Sequence, residues 1–267
     1  MLELYHGGTS VCSVKVRLVL AEKGLEWKSR YFSLVRREHQ TEAYRAINPN
    51  LKVPALVDDG VPVIESTIIN EYLDDRFPDP PLRPADAQGR ARMRRWTQQL
   101  DTGIHDAAGT VTYCIAYRYQ RLALSQEDFE AYLAKKPVAA HRERSRDRVM
   151  NGIKSKLFPP ALARMAKMVA DMERQLSETA WLAGESYSLA DAGFTAYVNR
   201  LDQLQLAPLW ADCPNVEDWY RRVRARPSFA QATEAWFAGE AESIALMAEK
   251  GAEEWPHIEE MLGAIAA

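Results

Sequence analysis

Val53-Pro54-Ala55-Leu56-Val57-Asp58-Asp59-Gly60-Val61-Pro62-Val63-Ile64-Glu65-Ser66 is the stretch on which the reading of the N-terminal fold turns. Two short apolar runs, 54–57 and 61–64, flank Asp58-Asp59-Gly60. An Asp-Gly turn supplies the backbone angles that a tight antiparallel connection needs, so the stretch reads as a hairpin. Upstream, Asn48-Pro49-Asn50 is a turn signal after a polar helical turn at 41–46. Residues 26–33 alternate as a strand does. Residues 14–23 read as a helix with Val14, Leu18 and Ala21 on one stripe, Val16, Val19 and Leu20 beside it, and Gly24 as its stop. Before that helix, His6-Gly7-Gly8-Thr9-Ser10 is turn chemistry, and Leu2-Glu3-Leu4-Tyr5 alternates as a first strand. Downstream of the hairpin, residues 66–77 are helical. The order is β-α-β-α-β-β-α, a small mixed sheet with helices packed on it.

Phe77-Pro78-Asp79-Pro80-Pro81-Leu82-Arg83-Pro84 then interrupts regular structure and reads as an inter-domain linker. No convincing strand follows. Residues 90–119, 126–134, 139–154, 161–176, 189–204, 216–226 and 229–250 all favour helix. The expected organisation is an α/β domain at 1–80, a linker at 78–87 and an all-α domain at 88–267.

The 267 residues, 47% hydrophobic and 27% charged with net charge −3, are ample for buried cores and argue against disorder. The slightly acidic balance argues against nucleic acid as the main partner. No stretch approaches the roughly 20 apolar residues of a membrane helix. The N-terminus lacks the layout of a signal peptide, so the expected compartment is the cytoplasm. Cys12, Cys114 and Cys213 are too few and too widely spaced for a disulfide framework. The five histidines show no close pairing, so no metal is expected.

Three places can carry chemistry. Ser10-Val11-Cys12-Ser13 lies at the junction of the first strand and first helix. Free N–H groups and the helix dipole there stabilise a thiolate or another anion. The plainer reading is a serine cap beside a small buried cysteine. Val53-Pro54 enters a strand through a proline, often cis in tight connections, and leaves Val53 able to pair with an extended peptide. An ordinary edge-strand proline is the competing account. Glu65-Ser66 precedes a helix, where Ser66 can cap, the helix N-terminus can hold a carboxylate and Glu65 an ammonium. Together the three describe a peptide-like ligand with a thiol and a zwitterionic amino-acid end.

Ser10-x-Cys12-Ser13-x-Lys15-Val16-Arg17, Asn48-Pro49-x-x-Lys52-Val53-Pro54-Ala55-Leu56 and Glu65-Ser66-x-x-Ile69-x-x-Tyr72-Leu73 resemble cytosolic glutathione transferases. So do Leu182-Ala183-Gly184-x-x-Tyr187-Ser188-Leu189-Ala190-Asp191, whose Ser188/Asp191 pair has the capping-box form, and Ala225-Arg226-Pro227-Ser228-Phe229. The serine-cysteine turn resembles the zeta class and bacterial reductive dehalogenases, while residues 82–86 and 125–130 are similar to bacterial lignin β-etherases.

The resemblance implies a thioredoxin-like first domain and glutathione as co-substrate. Its thiolate would attack a hydrophobic, aromatic or unsaturated electrophile, by thioether formation, ether cleavage, isomerisation or dehalogenation. It implies Ser10, Cys12 and Ser13 as candidate catalytic residues, with Ser10 donating to the glutathione sulfur or Cys12 forming a mixed disulfide. Val53, ahead of a cis Pro54, would pair with the cysteinyl unit, Glu65 and Ser66 would hold the γ-glutamyl end, and Lys52 the glycyl end. Tyr113, Cys114, Tyr117 and Tyr119 would line a second-substrate pocket, although aromatics on a long helix are usually core. A homodimer is implied as well. The alternative is a non-catalytic glutathione-binding or stress protein of the same fold. Residues 122–160 and the tail beyond Gly239 exceed the family norm and suggest a bulky or specialised substrate.

Overall fold

In a computed structural model that describes residues 1–136 and 138–266, the first part of the chain follows the expected order. β1 (Leu2–His6), α1 (Val11–Glu22), β2 (Trp27–Tyr31), α2 (Glu42–Arg45), β3 (Ala55–Asp58), β4 (Val61–Ile64) and α3 (Ser66–Arg76) succeed one another. The sheet order is β2-β1-β3-β4, with β1 parallel to β2 and antiparallel to β3, and β3 antiparallel to β4. Asp59 (φ 47°) and Gly60 (φ 87°) form the two-residue turn, both left-handed as a primed hairpin turn requires.

The rest of the described chain is helical: α4 (Ala87–Gln99), α5 (His105–Thr112), α6 (Arg118–Leu122), α7 (Gln126–Ala134), α8 (Ala139–Asn151), α9 (Phe158–Leu176), α10 (Leu189–Gln203), α11 (Pro214–Arg224), α12 (Pro227–Ala232) and α13 (Ala241–Ala266), with short 3-10 and π segments between several of them. The fold is thus a thioredoxin-like α/β part followed by helices. By packing, the chain forms two compact units. One comprises Met1–Asp101, Arg174–Val198 and Asn215–Ala241, the other Thr102–Glu173, Asn199–Pro214 and Glu242–Ala267.

Within the first unit, α1 is buried on nearly every side: Val14, Val16, Leu18, Val19 and Leu20 are in the core, and so are Lys15 and Arg17. Each such apolar side chain contributes about 1.5–3 kcal/mol on burial. The proline segment is tied down rather than loose. Leu82 is buried, its N–H donates to Asp74 Oδ1 (2.9 Å), and its carbonyl accepts from Leu189 N–H (2.9 Å). Lys23 Nζ pairs with Asp74 (2.7 Å) and donates to the carbonyls of Phe77 and Pro80.

Three expected helices differ. The span 90–119 is interrupted where Thr102 and Gly103 leave helical angles, Gly103 at φ 144°. The span 139–154 ends at Asn151, because Gly152 turns to φ 56° and Arg118 takes the last carbonyls, Val149 and Met150. The span 229–250 is not one helix. Arg17 Nε captures the Ala232 carbonyl (2.7 Å), and two 3-10 turns follow before α13. That break lets the Trp236 ring pack edge-on against His6 (4.5 Å) and over the Arg17 guanidinium (5.4 Å). In the second unit, α7 and α8 bury their own apolar cluster of Phe129, Leu133 and Val149.

Candidate functional site

Register in the sheet gathers the three suspected places. Tyr5 pairs with Ala55, and Ala55 with Ile64. The end of β1, the start of β3 and the end of β4 therefore share one edge of the sheet. The segments continuing from them, Gly7–Ser10, Val53-Pro54 and Glu65-Ser66, emerge side by side. The Val53–Pro54 bond is cis. Ladder pairing begins at Ala55, so half-buried Val53 lies beyond it, while Lys52 is exposed and its carbonyl is gripped by Tyr44 Oη (2.6 Å) and Asn48 Nδ2 (2.7 Å).

Ser10 is the N-cap of α1, and its hydroxyl oxygen accepts from Ser13 N–H (3.3 Å). Cys12 and Ser13 stand in the first turn, where the helix dipole favours negative charge. Ser13 is fully buried, and its hydroxyl oxygen accepts from Gly7 N–H (3.3 Å). Ser10 and Cys12 are half-buried.

At α3 the expectation that Ser66 caps is corrected. Ser66 is the first helical residue, and the N-cap is Glu65, in the left-handed region at φ 69° with no side-chain capping bond. A strained backbone conformation of this kind sits at functional positions more often than elsewhere. It leaves the first-turn N–H groups without a side-chain acceptor beside the exposed Glu65 carboxylate.

A polar layer that the sequence reading missed lies beneath these turns. Lys15 is 1% exposed, donates to Thr67 Oγ1 (2.8 Å) at the start of α3, and lies 3.9 Å from Asp101. Thr67 in turn donates to Asp101 Oδ1 (3.1 Å). Tyr197 of α10 is fully buried. Burial, then Cys12 and Asp101, hold the Tyr197 hydroxyl well above its ordinary range, so it stays protonated. Arg17 donates to the carbonyls of Gly7 (3.0 Å) and Gly8 (2.7 Å), bracing the turn into α1. Two basic residues inside the apolar run Val14-Lys15-Val16-Arg17-Leu18 were the available signal, because a helix buried on all sides spares such residues only when they have partners.

In the second unit, the rings of Tyr113 and Tyr117 meet edge to face at 5.7 Å. Tyr113 carries Arg148 over its ring (5.3 Å). Cys114 is fully buried, and burial pushes its thiol up to about 12, so it packs as a core residue there. Among the described residues, no group of three or more His, Cys, Asp or Glu side chains is placed to hold a metal ion, and no helix is long and apolar enough to cross a membrane.

Comparison with known proteins matches this architecture twice over. The family model "Glutathione S-transferase, N-terminal domain" matches residues 9–76, and "Glutathione S-transferase, C-terminal domain" matches residues 114–227. Protein LigF of Sphingobium sp. strain SYK-6 is 32% identical over 238 residues, 86% of this chain and 92% of that protein. The maleylacetoacetate isomerase of Pseudomonas aeruginosa is 42% identical over 107 residues, 39% of this chain and 50% of that protein. The crystal structure of the beta-etherase LigF superposes with a TM-score of 0.78 at 32% identity, covering 88% of this chain and 99% of that one. The chain belongs to the glutathione S-transferase family and is a glutathione-dependent enzyme.

Proposed function

We propose that this transferase activates glutathione as a thiolate at the N-terminus of α1 and uses it to cleave a β-aryl ether. The observation that carries this reading is the reach of the similarity: LigF, a beta-etherase, matches 86% of the chain, whereas the isomerase matches 39%. The thiolate sulfur would bond to the ether-bearing carbon, the carbon–oxygen bond would break with its electron pair on oxygen, and the phenolate would take a proton from solvent. The products are a glutathione thioether and a phenol.

In this reading residues 1–80 bind glutathione and residues 88–267 supply contacts to the aromatic substrate. Ser10 donates its hydroxyl proton toward the sulfur, assisted by the α1 dipole. Val53 pairs its backbone with the cysteinyl unit. Glu65 holds the ammonium of the γ-glutamyl end, Ser66 and the first-turn N–H groups of α3 hold its carboxylate, and Lys52 meets the glycyl carboxylate. Ser13 braces the turn through Gly7. Tyr113 and Tyr117 offer aromatic surface with polar tips to the electrophile. We place the enzyme in the cytoplasm, consistent with three cysteines that form no disulfide, and as a homodimer, for which light scattering at twice the chain mass is the check.

The test incubates the enzyme and glutathione separately with a β-aryl ether ketone, a chlorohydroquinone and a cis-dienoate. Phenol release with a thioether of the ketone supports ether cleavage. Isomerisation of the dienoate with an inert ether overturns it, as does the absence of turnover on all three. Ser10→Ala is expected to lower kcat/KM about tenfold or more. An unchanged value in that variant, with loss in Cys12→Ser, would move the working role to the cysteine.

A further inference from the structure

We infer that Glu240 is a positioning residue, which fixes the Gly7-Gly8 turn and through it the hydroxyl of Ser10. Gly7 and Gly8 are both buried, and neither lies in the left-handed region. Backbone angles therefore do not call for glycine at either place; space does. A Cβ on Gly7 would stand 2.7 Å from Leu34 Cγ, and one on Gly8 would stand 2.5 Å from Glu240 Cγ and 2.9 Å from its Oε1. Glu240 itself is 7% exposed, and its Oε1 accepts from Tyr31 Oη at 2.7 Å. The stem of an acid that stands just ahead of α13 is thus wedged against the backbone two residues before Ser10.

Two glycines in succession have great backbone freedom, so this turn takes its shape from its neighbours. Arg17 supplies part of the grip, donating to the carbonyls of Gly7 (3.0 Å) and Gly8 (2.7 Å), and the Ser13 hydroxyl accepts from Gly7 N–H (3.3 Å). Among the described residues, the acceptors of Arg17 are carbonyls and the His6 ring, none of them a carboxylate. Burial lowers the Arg17 guanidinium to about 9, and Tyr31 and Glu240 act against that from across the turn. The segment leading to Glu240 is tied to the same place: Arg17 Nε holds the Ala232 carbonyl (2.7 Å), and the Trp236 ring meets His6 (4.5 Å). Glu240 therefore reaches Gly8 as the end of a fixed strap. The hydroxyl of Ser10 has a long bond of its own, 3.3 Å from Ser13 N–H, so its direction follows the backbone that carries it.

The inference rests on reading Ser10 as the donor to the glutathione sulfur, and its test uses glutathione without an electrophile, so ether cleavage does not enter. The thiolate ultraviolet absorbance of enzyme-bound glutathione is titrated from pH 5 to pH 9 in the parent enzyme, Ser10→Ala, Glu240→Ala, Glu240→Gln, Tyr31→Phe and Gly8→Ala. Glutathione affinity and the thermal midpoint are measured alongside. Glu240→Ala is expected to weaken ionisation of the bound thiol about three- to tenfold, an upward shift of about half a pH unit to one unit. Glutathione affinity should stay within about twofold, because Val53, Glu65 and Ser66 are untouched. Glu240→Gln, which keeps the stem and an acceptor for Tyr31, should recover most of the shift, and Tyr31→Phe should show a smaller shift in the same direction. Gly8→Ala crowds Glu240 and should raise the midpoint too. In the Glu240→Ala background the added methyl finds room, so the double variant should fall short of the sum of the two singles. Midpoints for Glu240→Ala and Tyr31→Phe that superimpose on the parent, while Ser10→Ala moves, overturn the inference and leave the Ser10 reading standing. A lowered thermal midpoint with no change in the thiol does the same. An unmoved Ser10→Ala overturns both. Should Glu240→Ala fail to fold, Tyr31→Phe, which deletes one oxygen, decides the matter alone.

Discussion

His6 shows how a single buried ring couples the site to pH. Its Nδ1 faces Arg17 Nη1 at 3.1 Å and its Nε2 faces Ser29 Oγ at 2.9 Å. A guanidinium can only donate, so Nδ1 accepts and the proton resides on Nε2, donated to Ser29. Burial first, and the Arg17 charge second, lower the imidazole to about 3. An unfolded chain takes up that proton near pH 6.5 while the folded one does not, so this group's contribution to stability is complete above about pH 6.5 and is lost as pH falls toward 3. The unfolding free energy from urea titrations should fall through this window by up to about 1.4 kcal/mol per pH unit, and a His6→Gln variant should show a flatter pH dependence. A second residue-scale expectation concerns Ser13. Ser13→Ala leaves the Gly7 N–H without its acceptor and should cost about 1–2 kcal/mol in chemical denaturation.

Among the elements, α10 depends on one carboxylate. Asp191 is fully buried and accepts from the N–H groups of Leu182 (3.0 Å) and Ser188 (3.0 Å), the Ser188 hydroxyl (2.9 Å) and Trp219 Nε1 (2.9 Å). It is the N3 partner of the capping box read from Ser188-x-x-Asp191, and it also fastens α11. Burial raises this carboxyl above the usual range against the pull of those donors. Asp191→Ala strands four buried donors, so thermal and urea unfolding should register a loss of about 3 kcal/mol or more. The break between α4 and α5 has a different cause. Gly103 stands at φ 144°, an angle that side-chain-bearing residues rarely adopt, although a methyl there would meet nothing closer than Arg164 at 3.6 Å. Gly103→Ala should therefore destabilise by about 1–2 kcal/mol through backbone strain alone, read as a lower urea midpoint.

At the scale of the whole molecule, the proline segment shows what composition conceals. Four prolines in seven residues exclude helix and ladder, and the segment is indeed irregular, yet the buried Lys23–Asp74 pair and Arg83, 2.6 Å from Asp74, pin it. Asp74→Ala leaves a buried ammonium without its counterion and should cost about 3–5 kcal/mol, measurable as a lowered urea midpoint. Alternation, Asp-Gly turn chemistry and capping residues determined the βαβαββα order, the hairpin at Asp59-Gly60 and the helical remainder, because those preferences act between neighbours in the chain. Ser10, Cys12, Val53, Glu65 and Ser66 were legible for the same reason, each standing at the end of a local element. The sheet register that brings them to one edge was not, nor were the breaks at Gly103 and beyond Ala232, the burial of Cys114, or the layer of Lys15, Thr67, Asp101 and Tyr197. These depend on contacts between residues as far apart as 17 and 232, and on how burial reprices a charge or a hydroxyl, which only the folded chain decides.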